Sequence, residues 1–503
     1  MSMQLLTSLS FSMENFFNQV SDHSNISNKN TTAQQNTSIS DGEKMFLTNR
    51  LPIVKASLEK ILNRSLEGKK IPKIAFICSG GGYRAMLCTT GSLCGAHKIG
   101  LLDSTTYITA LSGSTWTVAP WISIGLPIKK FKNYLQDCIA KPLSEFSLEE
   151  KNLMTDALHI KNKYNQSITL VDHYGLLLGN RLLDALGDQR QTKTLSDQAQ
   201  KVESGAYPYP IYTAIDGREA IITGQTWYEF TPHTIGDRTN NIQIPTNTFG
   251  KKFKEGQLMN DTPEKPLAYC MGMWGSAFAA NIHEILKEVV HNQTILNIIT
   301  ELLPTSIDGE RLLPFWAKVP NHMYKMDNIQ DTTLSNKKNI KLVDAGLEIN
   351  LPYPPISGIC PDRTADILIF LDSSAGIMGK ELENVVAYAQ KYNLPFPEID
   401  FENIDKKTIN IFKRTSQNPS TVIYLPAISD QILWEENKNK TEFTQYNLSE
   451  FDLNSETNNG FCETQAFQYT PEHSTLVLNQ TEFNIRVNKD PIIKAINDWI
   501  DFY

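Results

Sequence analysis

Four short apolar runs, each ending in small or acidic residues, set the frame of this chain. Ile74–Cys78 runs into Gly80-Gly81-Gly82; Tyr107–Leu111 runs into Ser112-Gly113-Ser114; Lys341–Val343 runs into Asp344-Ala345-Gly346; Asp366–Leu371 stands apart from these. Each is long enough for one buried strand. Tyr83–Ile99 has apolar positions at helical spacing, so the sequence predicts strand 74–78, helix 82–98, strand 107–111 and a helix opening after Ser112. Further strands are predicted at Lys341–Val343, Asp366–Leu371 and Val422–Leu425, with a helix over Lys380–Tyr392 between the last two. Pro208–Trp227 reads as two strands about a turn at Asp216-Gly217. Met45–Leu66 is helical in period but interrupted by Pro52. Lys129–Leu195 reads as helical and polar, with no chemistry of its own, and Leu267–Leu302 is apolar with helical period. Strands alternating with helices imply a largely parallel α/β sheet.

The N-terminus patterns differently. Residues 1–42 read as an extension to a domain spanning 43–503. Leu5, Leu9, Met13, Phe16 and Val20 fall at helical spacing over residues 3–20, but that face lacks the Lys and Arg typical of a membrane-surface helix. Residues 21–42 are Asn/Ser/Thr-rich with almost no large apolar side chain and are expected to be disordered.

Composition narrows the function classes. A hydrophobic fraction of 41% supports a sizeable core, and a net charge of −8 argues against a nucleic-acid surface. The seven cysteines show no zinc-ligand spacing, so no metal is predicted and a reducing compartment is the simpler expectation. No apolar run reaches the roughly 18 residues of a membrane span.

Chemistry concentrates at the glycine and serine turns. A serine between strand and helix is held out of the sheet, beside a helix N-terminus that favours negative charge. Ser112 sits so, in Ala110-Leu111-Ser112-Gly113-Ser114, and reads either as a nucleophile or as a helix N-cap. The backbone N–H groups of Gly81 and Gly82 suit an oxyanion. Gly80-x-Gly82-x-x-Ala85 also fits a dinucleotide fingerprint, but Asp103 precedes the second strand where that motif needs an acid at its end. Arg84 suits a phosphate or a surface ion pair. Asp344 reads as a base or as a loop cap; free Asp titrates near ~3.9, and burial would raise it into a useful range. His473 would complete a Ser–Asp–His order, although Tyr469-Thr-Pro-Glu-His looks like a helix start.

Five blocks together resemble the cytosolic (group IV) phospholipase A2 and lysophospholipase catalytic domain. They are Ser79–Met86, Leu111–Trp116, Trp227–Gly236, Met271–Phe278 and Val343–Pro354, in family order within residues 70–375. The resemblance implies a three-layer α/β/α core with a mostly parallel sheet, shared with patatin, and a short cap or lid at about 279–339. It implies a Ser/Asp dyad without histidine: Ser112 as nucleophile, Asp344 as base, Gly81 and Gly82 as oxyanion hole, Arg84 facing a substrate phosphate. The implied reaction is cofactor-free hydrolysis of phospholipid or lysophospholipid acyl esters by a cytoplasmic protein acting at a membrane or micelle surface. Two departures stand out. Ala110 replaces the family's usual glycine, and only residues 1–42 precede the catalytic part, so docking through a calcium-binding C2 domain is not expected.

Overall fold

The computed structural model describes residues 32–35, 38–217, 226–237, 240–277, 316–327, 329 and 332–503. The expected helix at 3–20 and most of the cap at 279–339 lie outside them.

The fold is an α/β sheet flanked by helices. Its strands in chain order are β1 Gln34–Gln35, β2 Ile74–Cys78, β3 Tyr107–Ala110, β4 Tyr209–Asp216, β5 Trp227–Phe230, β6 Thr234–Asp237 and β7 Ile242–Pro245. They continue with a separate hairpin, β8 Phe253–Lys254 and β9 Gln257–Leu258. Then come β10 Ala317–Pro320, β11 Asn339–Asp344, β12 Ile367–Asp372, β13 Asn410–Phe412 and β14 Thr421–Pro426. The sheet order is β1-β7-β6-β5-β4-β3-β2-β12-β14-β13. The five central strands, β4 to β14, are parallel, and both flanks are antiparallel. The central strands are buried along their whole length, which explains why they read as continuous apolar runs without alternation.

The principal helices are α1 Asp41–Leu62, α2 Gly82–Lys98, α3 Thr115–Ile124, α4 Leu148–Lys163, α5 Leu170–Leu182, α6 Leu267–Trp274, α7 Lys380–Lys391, α8 Pro471–Val487 and α9 Lys489–Phe502. Helix α2 is buried from Gly82 to Ala96, and Gly91 and Gly95 let the α8 backbone approach it. Among the described residues no helix is long and apolar enough to cross a membrane.

Three expectations change. Pro52 does not interrupt α1, because buried Phe46, Arg50, Val54 and Leu58 hold the turns on both sides of it. Part of the segment expected to be disordered is ordered: Gln34 and Gln35 pair with Gln243 and Ile242, and Ile39 is buried. An open sheet edge supplies the backbone partners that composition cannot register. Within 279–339, Ala317–Pro320 forms β10 against β11 and so belongs to the sheet, its Ala317 and Val319 buried. The second strand expected within 208–227 falls on residues outside those described.

Helix α1 is fastened to the sheet by charge. Arg363 is fully buried; its Nε and Nη2 donate to both Glu43 carboxylate oxygens at 2.7 and 2.6 Å, and its Nη1 donates to Glu229 on β5. Arg50 donates to the carbonyls of Leu102, Thr105 and Gly205.

Candidate active site

The site arises from an unequal pairing along β4. Strand β3 pairs with Tyr209–Tyr212 of β4 and stops at Ala110. Strand β5 occupies the other edge over Tyr212–Ile215. Strand β11 pairs with Ala214–Asp216 on the edge that β3 has left, antiparallel to it. The two strands therefore approach each other end to end, and Asp344 closes β11 at the level where Ser112 follows β3.

Ser112 itself has φ 48°, a left-handed conformation uncommon for a residue with a side chain. The turn is held by Ser114, whose Oγ donates to the carbonyls of Cys78 and Leu111 and accepts from Leu111 N. Thr115 Oγ1 donates to Ser112 O at 2.6 Å. Strain of this kind persists only where neighbours impose it, and it is common at nucleophile turns. Ser112 is 2% exposed and Asp344 1%.

Asp344 accepts from Gly346 N at 2.9 Å, and its own N–H donates to Ser276 Oγ at the end of α6. Burial raises its pKa to about 7, while hydrogen bonding from Gly346, Ser112 and the backbone at Ala277 opposes that rise. Ser112 Oγ thus lies close enough to favour the carboxylate, yet it forms no hydrogen bond of good length and angle in this conformer. The pair is juxtaposed without being locked, an arrangement common before substrate binds.

The glycine loop lies against the serine turn. Gly81 (φ 137°) and Gly82 (φ 59°) occupy conformations that favour glycine, and Gly82 opens α2, whose first N–H groups have no partner within the helix. A Cβ on Gly80 would meet Ser112 Cβ at 2.8 Å, and one on Gly113 would meet Gly82 O at 2.0 Å. Asn350 anchors the loop, exchanging hydrogen bonds with Gly80 N and O. Ser79 Oγ accepts from Ser373 N at 2.7 Å.

Arg84 is 1% exposed. Its Nε donates to Ser373 O, and its Nη1 donates to Cys462 O and Thr464 Oγ1. Its Nη2 borders Gly81, where a Cβ would come within 2.5 Å. The guanidinium therefore braces the loop. His473 opens α8 and stacks on Phe461 at 3.9 Å, and among the described residues no histidine is one of the groups acting on Asp344. Asp103 lies in the turn ahead of β3.

Three supporting residues escaped the sequence reading: Ser114, Ser276 and Asn350. All three stand inside blocks that carried the resemblance, but nothing in a lone serine or asparagine marks it as a brace. Behind the serine turn, Trp116 meets Tyr83 and Tyr174 edge-on at 5.9 and 6.0 Å, and Phe467 completes the cluster. The hydroxyls of Tyr83 and Tyr174 are buried without a hydrogen-bond partner.

Comparison with known proteins gives the family and the fold. A model of the lysophospholipase catalytic domain matches residues 74–404. The chain is 29% identical over 428 residues to human cytosolic phospholipase A2 zeta, covering 72% of this chain and 49% of that protein. It is 25% identical to human cytosolic phospholipase A2 epsilon, covering 91% and 60%, and 25% identical to human cytosolic phospholipase A2 gamma, covering 90% and 94%. The chain thus spans about half the length of the zeta protein. The solved structure of human GIVD cytosolic phospholipase A2 superposes with a TM-score of 0.78 at 20% identity, covering 95% of this chain and 69% of that one, a likeness of fold. The chain belongs to the lysophospholipase catalytic domain family, within the group that includes the cytosolic phospholipases A2.

Proposed function

We propose that this chain is a serine esterase that hydrolyses fatty-acyl esters of glycerophospholipids or lysophospholipids through a Ser112–Asp344 dyad. The observation that carries the proposal is the end-to-end meeting of β3 and β11, which sets a strained serine beside a buried carboxylate. Asp344 takes the proton as Ser112 Oγ attacks the ester carbonyl. The oxyanion rests on the Gly81 and Gly82 amides. Collapse expels the lysolipid or glycerophospho alcohol, which recovers the proton, and leaves an acyl group on Ser112. Water, deprotonated by Asp344, then releases the fatty acid.

The aromatic cluster of Tyr83, Trp116, Tyr174 and Phe467 backs the serine turn from within the core. Arg84 holds the oxyanion loop in place, and the Nη2 end beside Gly81 is the part of it that would meet a substrate phosphate. The substrate is drawn from a membrane or micelle surface. These steps use only side chains and amides of this chain.

One solved relative is described as a complex with a fluorophosphonate. Treating the present protein with a lipid fluorophosphonate should add one phosphonyl group at Ser112, read by intact mass and peptide mapping. The Ser112→Ala protein should take up none and should release no fatty acid from lysophosphatidylcholine. Undiminished release by that variant overturns the dyad.

A further inference from the structure

The loop that follows the candidate base stays at the site. It leaves Asp344 through a single 3-10 turn, Ala345–Leu347, and brings Asn350 back against the oxyanion loop. Asn350 Oδ1 accepts from Gly80 N at 3.1 Å, and its Nδ2 donates to Gly80 O at 3.2 Å and to Ser374 Oγ at 2.8 Å. The same oxygen borders the turn of the base. A Cβ on Gly80 would meet Asn350 Oδ1 at 2.5 Å, and one on Gly346 would meet it at 2.8 Å. Gly346 is the residue whose N–H donates to Asp344. One side-chain amide is therefore wedged between the turn that carries the base and the loop that carries the oxyanion donors.

Both ends of that amide are engaged, so Asn350 orients the loop only as well as its own backbone is held. The group that holds it lies outside the five motif blocks. Glu381, half-buried in the first turn of α7, accepts from Asn350 N through Oε2 at 2.7 Å, and the same oxygen accepts from Asn384 Nδ2 at 3.3 Å. A bond from an amide to a carboxylate is roughly twice as strong as one between neutral groups. The start of α7 is itself pinned to the sheet: Gly379 N donates to Tyr424 Oη at 2.9 Å, and that hydroxyl donates to Asp372 at 2.7 Å.

Helix stability does not account for this carboxylate. Glu383, the other acid of the turn, is exposed and pairs with Lys380 at 2.7 Å, which already places negative charge at the helix start. Glu381 is raised in pKa by burial, with the Asp372 charge adding to the rise, against hydrogen bonds from Asn350 and Asn384 and the Lys380 charge. Its ionised form is thus disfavoured by the fold that surrounds it.

We propose that Glu381 is a positioning residue for the reaction: through Asn350 it sets the spacing between the Ser112–Asp344 pair and the Gly81–Gly82 oxyanion hole. This rests on the dyad reading. Proton transfer to Asp344 and charge growth on the oxyanion belong to one transition state, so base and donors must be held at a fixed separation. Losing the Glu381 bond frees the Asn350 backbone, and the wedge no longer fixes that separation. The loss falls on the transition state and leaves ground-state binding alone.

Steady-state hydrolysis of lysophosphatidylcholine and labelling by a lipid fluorophosphonate, both on the full chain, test it. Glu381→Leu removes the acceptor and should lower kcat by about 10–100-fold with KM unchanged, the scale of a displacement near 1 Å. Labelling of Ser112 should slow in step. If circular dichroism shows that variant misfolded, Glu381→Ala takes its place. Glu381→Gln still offers an oxygen to Asn350 N and should recover most of the rate, while Glu383→Gln should match wild type. Asn350→Ala combined with Glu381→Leu should be no slower than Asn350→Ala alone, because both act through one wedge. Five outcomes overturn the proposal: wild-type kcat in the folded Glu381 variant, a raised KM in place of a lowered kcat, no recovery in Glu381→Gln, an equal fall in Glu383→Gln, or additive losses in the double variant. Wild type that neither hydrolyses nor labels at Ser112 overturns the dyad and this inference together, which keeps the two failures distinct.

Discussion

In the proposed dyad, Asp344 is where burial becomes chemistry. A carboxylate that titrates near 4 would be a feeble base at neutral pH, and desolvation brings this one to about 7. Activity on lysophosphatidylcholine should therefore fall below an apparent pKa near 7 in the kcat/KM profile. Asp344→Asn should lose about 10²–10⁴-fold in kcat, while His473→Ala should keep near wild-type activity, since its ring stacks on Phe461. The same shift has a thermodynamic consequence. The folded pKa lies above the unfolded value, so the native state holds the proton more tightly between them. Stability tied to Asp344 is full below about pH 4 and is lost as pH rises through about 7. Asp344→Asn should then raise the thermal midpoint at pH 8 and leave it nearly unchanged at pH 4. An equal effect at both values would mean that the carboxylate is not desolvated. Arg84→Lys keeps the charge but cannot span Ser373, Cys462 and Thr464 together, so it should reduce kcat more than it raises KM.

The turns between elements set the active-site geometry, and they were legible in the sequence to different degrees. The glycine loop and the serine turn were visible because each follows a buried strand directly, where small residues have few other reasons to cluster. Asp344 was visible as a strand end. Its convergence with Ser112, 232 positions earlier, was implied only by the family resemblance and not by local pattern, because it depends on β4 outlasting β3, a matter of strand pairing that a single chain does not encode locally. Pro52 misled for a related reason: local propensity marks a break, and tertiary burial on both sides overrides it. The close fit between turns is itself testable. Gly113 stands against the Gly82 carbonyl with no room for a methyl group, so Gly113→Ala must push the oxyanion loop away from Ser112. Expected is a loss of about 10²–10³-fold in kcat, the range for a lost oxyanion donor, with fluorophosphonate labelling slowed in parallel. Unslowed labelling would show that the loop does not govern the serine.

Across the molecule, the parallel centre carries the site and the antiparallel flanks widen the sheet that supports it. What fastens the outer helix layer to that sheet is ionic. Arg363 bridges Glu43 on α1 and Glu229 on β5, with Tyr107 on β3 donating to Glu43 at 3.1 Å, and all four side chains are buried. Removing the arginine strands two carboxylates in a core that cannot solvate them, so Arg363→Ala should cost about 3–5 kcal/mol. Removing one acid is milder, because the guanidinium keeps its other partner; Glu43→Gln also preserves the shape and most hydrogen-bonding positions. Urea denaturation should therefore rank wild type, Glu43→Gln and Arg363→Ala in descending stability. Catalytic rate per folded molecule should hold well below each midpoint, since neither residue touches the Ser112–Asp344 pair. If Arg363→Ala instead lowered kcat at full foldedness, the α1–sheet joint would be setting the level at which β3 and β11 meet, and the dyad's spacing would be a property of the whole sheet and not of its two turns.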